Sequence, residues 1–206
     1  MKKLLVIFVA LFIVSSVIYA KEIKGGVKAG INIANWSGDD VEKEDKKSRV
    51  GIVAGGFVTI PLNDQFSLQP ELLLSMKGVK YEGSFMGESY ESTVKLTYIE
   101  IPVLAKLNIP SEGSVKPNVF LGPSIGMKAS AKSEFVFGGV SEESDLEDVK
   151  SLDLGLAIGG GVDIDAGAGK VTLDARYTMG LTSINDSADD LDVKNSVIAI
   201  MAGYCF

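Results

Sequence analysis

From residue 23 onward the chain alternates apolar and polar positions with a period of two, in runs separated by polar stretches. Successive side chains on a strand point to opposite faces, so each run predicts a strand with one apolar wall. The runs span residues 23–34, 50–60, 66–79, 94–109, 118–131, 152–164, 171–181 and 197–206, eight in all. The seventh is the cleanest, with Val171, Leu173, Ala175, Tyr177 and Met179 alternating with Thr172, Asp174, Arg176 and Thr178. The last sets Ile198, Ile200, Ala202, Tyr204 and Phe206 against the smaller or flexible Val197, Ala199, Met201, Gly203 and Cys205. A wall of large apolar residues backed by small or polar ones is what a lipid-facing barrel strand needs.

The connections sort by length. Those after the second, fourth and sixth runs are short (residues 61–65, 110–116 and 165–169), and those after the odd runs are long and polar (36–49, 82–93, 132–151 and 182–196). A soluble sandwich has no reason to sort its loops this way, whereas an outer-membrane barrel has short periplasmic turns and long external loops. The expected fold is all-β: an eight-stranded antiparallel up-and-down transmembrane β-barrel over residues 21–206.

Residues 1–20 read as a secretory signal peptide, with Lys2 and Lys3 before an apolar core and a cleavage site after Ala20. Its removal takes the formal charge from −7 to −9, because two lysines and no acids leave with it. An acidic chain is a poor nucleic-acid binder, so no nucleic-acid partner is expected. With Cys205 as its one cysteine and no histidine, the chain cannot build a disulfide framework, a Ser-His-Asp triad or a His/Cys zinc site. We expect no enzyme activity, metal or cofactor.

The segments FSLQPELLLSMKG, YIEIPVLAKLNI, PNVFLGPSIG and LDARYTMGLTSI, with the aromatic-ended last strand, resemble the porin-like outer membrane protein beta-barrel domain family, which includes PorT-type proteins. The resemblance covers residues 25–206 and implies fold and outer-membrane location. It also implies that Tyr204 and Phe206 act as an assembly signal read by the barrel assembly machinery. PorT-type members are associated with protein secretion.

The polar phases predict a lumen set of Lys28, Gln69, Glu71, Lys77, Tyr98, Glu100, Lys106, Asp174 and Arg176. Eight strands enclose a space just wide enough for their own side chains, so these charges must pair. The expected network is Glu71, Glu100, Asp174 and Arg176, with Arg176 bridging Glu71, Glu100 or both. Acids crowd three of the long loops, at Asp39–Asp45, Glu142–Asp148 and Asp186–Asp192, and read as a solvated outer surface. Gly167-Ala168-Gly169-Lys170 lacks the spacing of a phosphate loop. Trp36, Tyr81, Tyr90, Tyr177, Tyr204 and Phe206 are candidates for interfacial aromatic girdles. The resulting expectation is a non-enzymatic outer-membrane barrel, largely plugged, in contact with lipid and lipopolysaccharide. Its alternatives are a narrow porin-like channel for ions or small solutes, and a PorT-like component of secretion or adhesion that meets a partner through the external loops.

Overall fold

The computed structural model describes residues 23–41, 45–85, 87–187 and 191–206. The expected signal segment and the loop acids Glu42, Glu44, Asp189 and Asp190 lie outside the described residues. Among the described residues nine strands form: β1 Lys24–Ser37, β2 Lys46–Pro61, β3 Phe66–Phe85, β4 Glu88–Asn108, β5 Val115–Phe137, β6 Val140–Asp145, β7 Leu152–Ala166, β8 Gly169–Gly180 and β9 Lys194–Cys205. Eight of them close a ring in the order β1-β2-β3-β4-β5-β7-β8-β9, every pairing antiparallel. The last strand seals onto the first, from Gly26 opposite Cys205 to Ser37 opposite Lys194. The Phe206 N–H extends that seam with a bond to the Gly25 carbonyl at 2.8 Å. Closure leaves the ring no free edge, the condition for a sheet to sit in lipid.

The alternation turns the protein inside out. Val27, Ile31, Val50, Ile52, Leu72, Leu74, Leu121, Ile158 and Ile200 stand on the outer wall and are all more than 40% exposed. In water that wall would be a continuous apolar patch far larger than soluble monomers carry; in a bilayer it meets hydrocarbon. Inside, polar and charged residues are buried beside apolar ones, among them Lys28, Asn32, Gln69, Glu71, Lys77, Glu100, Asp153, Asp174 and Arg176. No helix among the described residues is long and apolar enough to cross a membrane.

The short connections and both strand ends at Lys24 and Cys205 gather at one end of the ring, hereafter the turn end. There Gly167, at φ +66°, opens the two-residue β7–β8 turn, and the Asn63 side chain accepts bonds from the Gln65 and Phe66 N–H groups at 2.9 and 2.8 Å. The opposite, loop end departs from the expected pattern. Residues 82–85, 88–93 and much of 132–145 continue as strands instead of forming polar loops, and β6 folds back on the top of β5. These residues rise above the apolar band, where both faces of a strand can be polar, so alternation no longer marks them. A one-residue bulge between Thr97 and Tyr98 of β4 and the facing β5 re-aims β5. Below it Asn118, Phe120 and Ser124 point inward, and above it Ala131 does.

Candidate functional site: the lumen and its external cap

Moving from the turn end to the loop end, the lumen is filled in tiers. The first is Lys106 of β4, whose Nζ lies 2.9 and 3.1 Å from the two carboxylate oxygens of Asp163 on β7. Asn118 of β5 adds a weak bond to Asp163 at 3.4 Å.

Glu71 of β3 is the hub of the second tier. Arg176 of β8 reaches it with Nη2 at 2.8 Å from Oε2 and 3.0 Å from Oε1. Lys28 of β1 binds Glu71 at 2.9 Å and Asp174 at 2.6 Å, and the Gln69 amide donates to Glu71 at 2.8 Å. Two cations face two carboxylates, so this tier is formally neutral and each buried charge has a partner.

The third tier centres on Lys77 of β3, with Nζ 2.7 Å from Glu100 and 3.2 Å from Asp153. Ser124 donates to Glu100 at 3.3 Å and Asn195 to Asp153 at 2.9 Å. Each tier cation except Lys106 also sits over a ring: Lys28 at 4.7 Å from Phe57, Arg176 at 5.3 Å from Phe120 and Lys77 at 5.1 Å from Tyr98. The rings pack against the cations and take up space that water would otherwise fill.

The expected lumen residues thus divide between separate groups. Arg176, Glu71 and Asp174 share one tier; Glu100 belongs to another, takes Lys77 as its cation and has no hydrogen bond to Arg176. Asp153 and Asp163 complete the ion pairs and were not among the expected residues. Both continue the period-two phase of Gly155 and Ala157, so carrying that count to both ends of the run would have found them.

Between the second and third tiers the lumen leaves a cavity of about 10 Å³, lined in part by Asn32, Lys77, Glu100 and Arg176. That is at the lower limit for a single water. Toward the turn end the lumen opens into a vestibule of about 390 Å³ lined by Phe57, Gln69, Lys106, Asp163 and Thr172.

At the loop end an apolar cap follows the third tier. Leu96, Tyr98 and Ala131 from the wall are buried against Val149 and Ile184 from the connections before β7 and β9, with Trp36, Leu146 and Val193 packed around them. Lys150 N–H donates to the Ile184 carbonyl at 2.7 Å, and Val149 pairs with Asn185 as an isolated bridge. Lys128 ties its ammonium to the Val149 carbonyl. Trp36, expected in a girdle, belongs instead to this inward phase, two residues on from buried Ala34. Tyr81 and Tyr90 stand on the ribbon above the band, whereas Tyr177 is 40% exposed on the outer wall. Tyr204 and Phe206 lie together near the turn end, ring centroids 5.4 Å apart and edge to face.

Comparison with curated protein sequences finds no match. Among solved structures, the chain is similar to the attachment invasion locus protein Ail of Yersinia pestis in complex with the heparin analogue sucrose octasulfate. The two are 19% identical, with 90% of this chain and 100% of that one covered and a TM-score of 0.47. It is similar to Neisserial surface protein A at 15% identity, over 90% of this chain and 100% of that one, TM-score 0.46. It is also similar to the outer membrane enzyme PagL at 14% identity, over 86% and 97% of the two chains, TM-score 0.39. The family model described as outer membrane protein beta-barrel domain matches residues 19–186. With that match over most of its length and a closed eight-stranded ring beneath it, the chain belongs to the outer membrane protein beta-barrel domain family and is an outer-membrane protein.

Proposed function

We propose that the barrel is a non-enzymatic, non-conducting membrane anchor, plugged by its own side chains, which presents its external end to a partner. The observation that carries this reading is the cavity of about 10 Å³ between the Glu71 and Lys77 tiers. A hydrated ion needs a continuous file of waters, and a space holding at most about one water between paired charges does not supply it. The apolar cap of Leu96, Tyr98, Val149 and Ile184 adds a second barrier. A narrow porin-like channel is the less favoured reading for the same reason.

The outer wall contacts lipid, and lipopolysaccharide is the partner for its loop-end rim. Phe206 and Tyr204 form the assembly signal for the barrel assembly machinery, supported by their edge-to-face pairing beside the closing seam, with Phe206 exposed. A role in secretion or adhesion, as in PorT-type proteins, fits an external end that stands above the membrane as a folded ribbon.

Proteoliposomes test the reading. Vesicles carrying the barrel should hold potassium and proton gradients as long as empty vesicles do. Rapid collapse of either gradient would place the function in the lumen instead.

A further inference from the structure

We propose that the outer edge of β6 is a docking edge, to which an extended segment of a second protein, alternating basic and apolar residues, adds as a further strand. This rests on the reading that the external end is the working end.

The ring has no edge, but the ribbon above it has one. β6 pairs with β5 on one side, and among the described residues no strand pairs with the other. Gly138 and Gly139 form the two-residue turn between them, at φ +56° and +81°. Positive φ at both positions is the mirror-image turn of a tight hairpin, in which the flanking Phe137 and Val140 exchange both backbone bonds. Bonded pairs then recur at every second position, Phe135 with Glu142 and Ser133 with Ser144. The N–H and C=O groups of Ser141, Glu143 and Asp145 therefore point outward, a template for another strand.

Natural edges are blunted with charged side chains, above all lysine, with proline or with a bulge. β6 reads VSEESD, has neither proline nor lysine, pairs without a register shift and is exposed at every residue. What it does carry is charge of one sign, Glu142, Glu143 and Asp145. Like charges directly opposite are destabilising, so two copies of this edge repel, and a second copy of the chain is not the occupant. Lysine or arginine on the incoming strand is favoured.

The two faces of β6 differ, which fixes the partner's alternation. On the outer face Glu143 is held by Lys132 at 2.7 Å and Lys95 at 3.1 Å, so that face is charged. On the inner face Val140 is 65% exposed beside Phe137 at 39% and Phe135 at 46%. Tyr90 stacks on Phe135 at 6.1 Å. Glu142 shares this inner face, opposite Phe135, while Ser141, Glu143 and Asp145 share the outer one. A strand laid along β6 places alternate side chains toward the aromatic residues and Glu142, and the rest toward Glu143 and Asp145.

The test uses the full barrel in nanodiscs of zwitterionic lipid and a labelled peptide of about ten residues alternating Lys and Val. A Glu–Val peptide serves as control. The Lys–Val peptide should bind, and binding should slow hydrogen exchange at the amides of Ser141, Glu143 and Asp145. Ser141→Pro removes an N–H that faces the outer edge, so the β5–β6 ladder survives, and affinity should fall roughly tenfold. Absence of Lys–Val binding, equal binding of both peptides, or unchanged affinity in Ser141→Pro would overturn the proposal. A barrel that conducts ions yet binds the peptide refutes the plugged reading alone. A closed barrel that ignores the peptide refutes the edge alone.

Discussion

Arg176 and Glu71 are 105 residues apart in sequence and meet inside the barrel, the guanidinium Nη2 lying 2.8 Å from one carboxylate oxygen and 3.0 Å from the other. The contact spans the lumen from β8 to β3, so it ties together walls that share no backbone ladder.

Removing Arg176 leaves Glu71 and Asp174 sharing Lys28 alone, one uncompensated negative charge in a dry tier. Arg176→Met should therefore cost about 3–5 kcal/mol in urea unfolding from lipid. Adding Glu71→Gln restores neutrality, with Lys28 on Asp174, and should recover most of that loss. Adding Glu100→Gln instead should recover clearly less, because Glu100 meets Lys77 directly and faces Arg176 only across the small cavity. Coupling between positions 176 and 100 as strong as that between 176 and 71 would contradict the tiers.

Above the apolar band, Lys95 lowers the pKa of the Glu134 carboxyl, and Lys132 lowers that of Glu143, from the ordinary value of 4.5. A folded-state pKa below the unfolded one contributes stability that is complete above about 4.5 and is lost as pH falls through the lowered value. Hydrogen exchange of the β5–β6 ribbon, corrected for intrinsic rates, should be constant from neutral pH down to about 5 and speed up below about 4.5. These pairs are exposed, so the effect should shrink in high salt. Ribbon protection that instead rises on acidification would contradict the pairing.

The barrel was legible because period-two alternation survives wherever one face meets lipid and the other the lumen. Lys28, Glu71, Asp174 and Arg176 could be placed inward from their strands alone. Which of them touch could not, because partner choice across a barrel depends on the stagger between strands, and alternation within one strand does not record it. That is why Glu100 pairs with Lys77 and not with Arg176. The ribbon was hidden for another reason. Residues such as Glu134 and Glu143 mix with Phe135 and Phe137 where both faces of the strand are exposed, so the segment reads as a polar loop until its Gly138–Gly139 turn is seen to register one arm on the other.

Phe206 tests assembly separately from stability. Phe206 is 65% exposed at the closing seam and its ring meets Tyr204 edge-on, so Phe206→Ala should change the unfolding free energy of refolded barrel by less than about 1 kcal/mol. In cells the same variant should reach the outer membrane in much lower yield. Normal yield would remove the aromatic terminus from the assembly signal.

The proposed plug of tiers and cap carries one prediction above the others: no ion passes through this barrel. Planar-bilayer recording of the purified protein tests it most directly. The account predicts no steady current above the bare bilayer at either polarity, whereas a reproducible unitary conductance from the wild-type chain would contradict it.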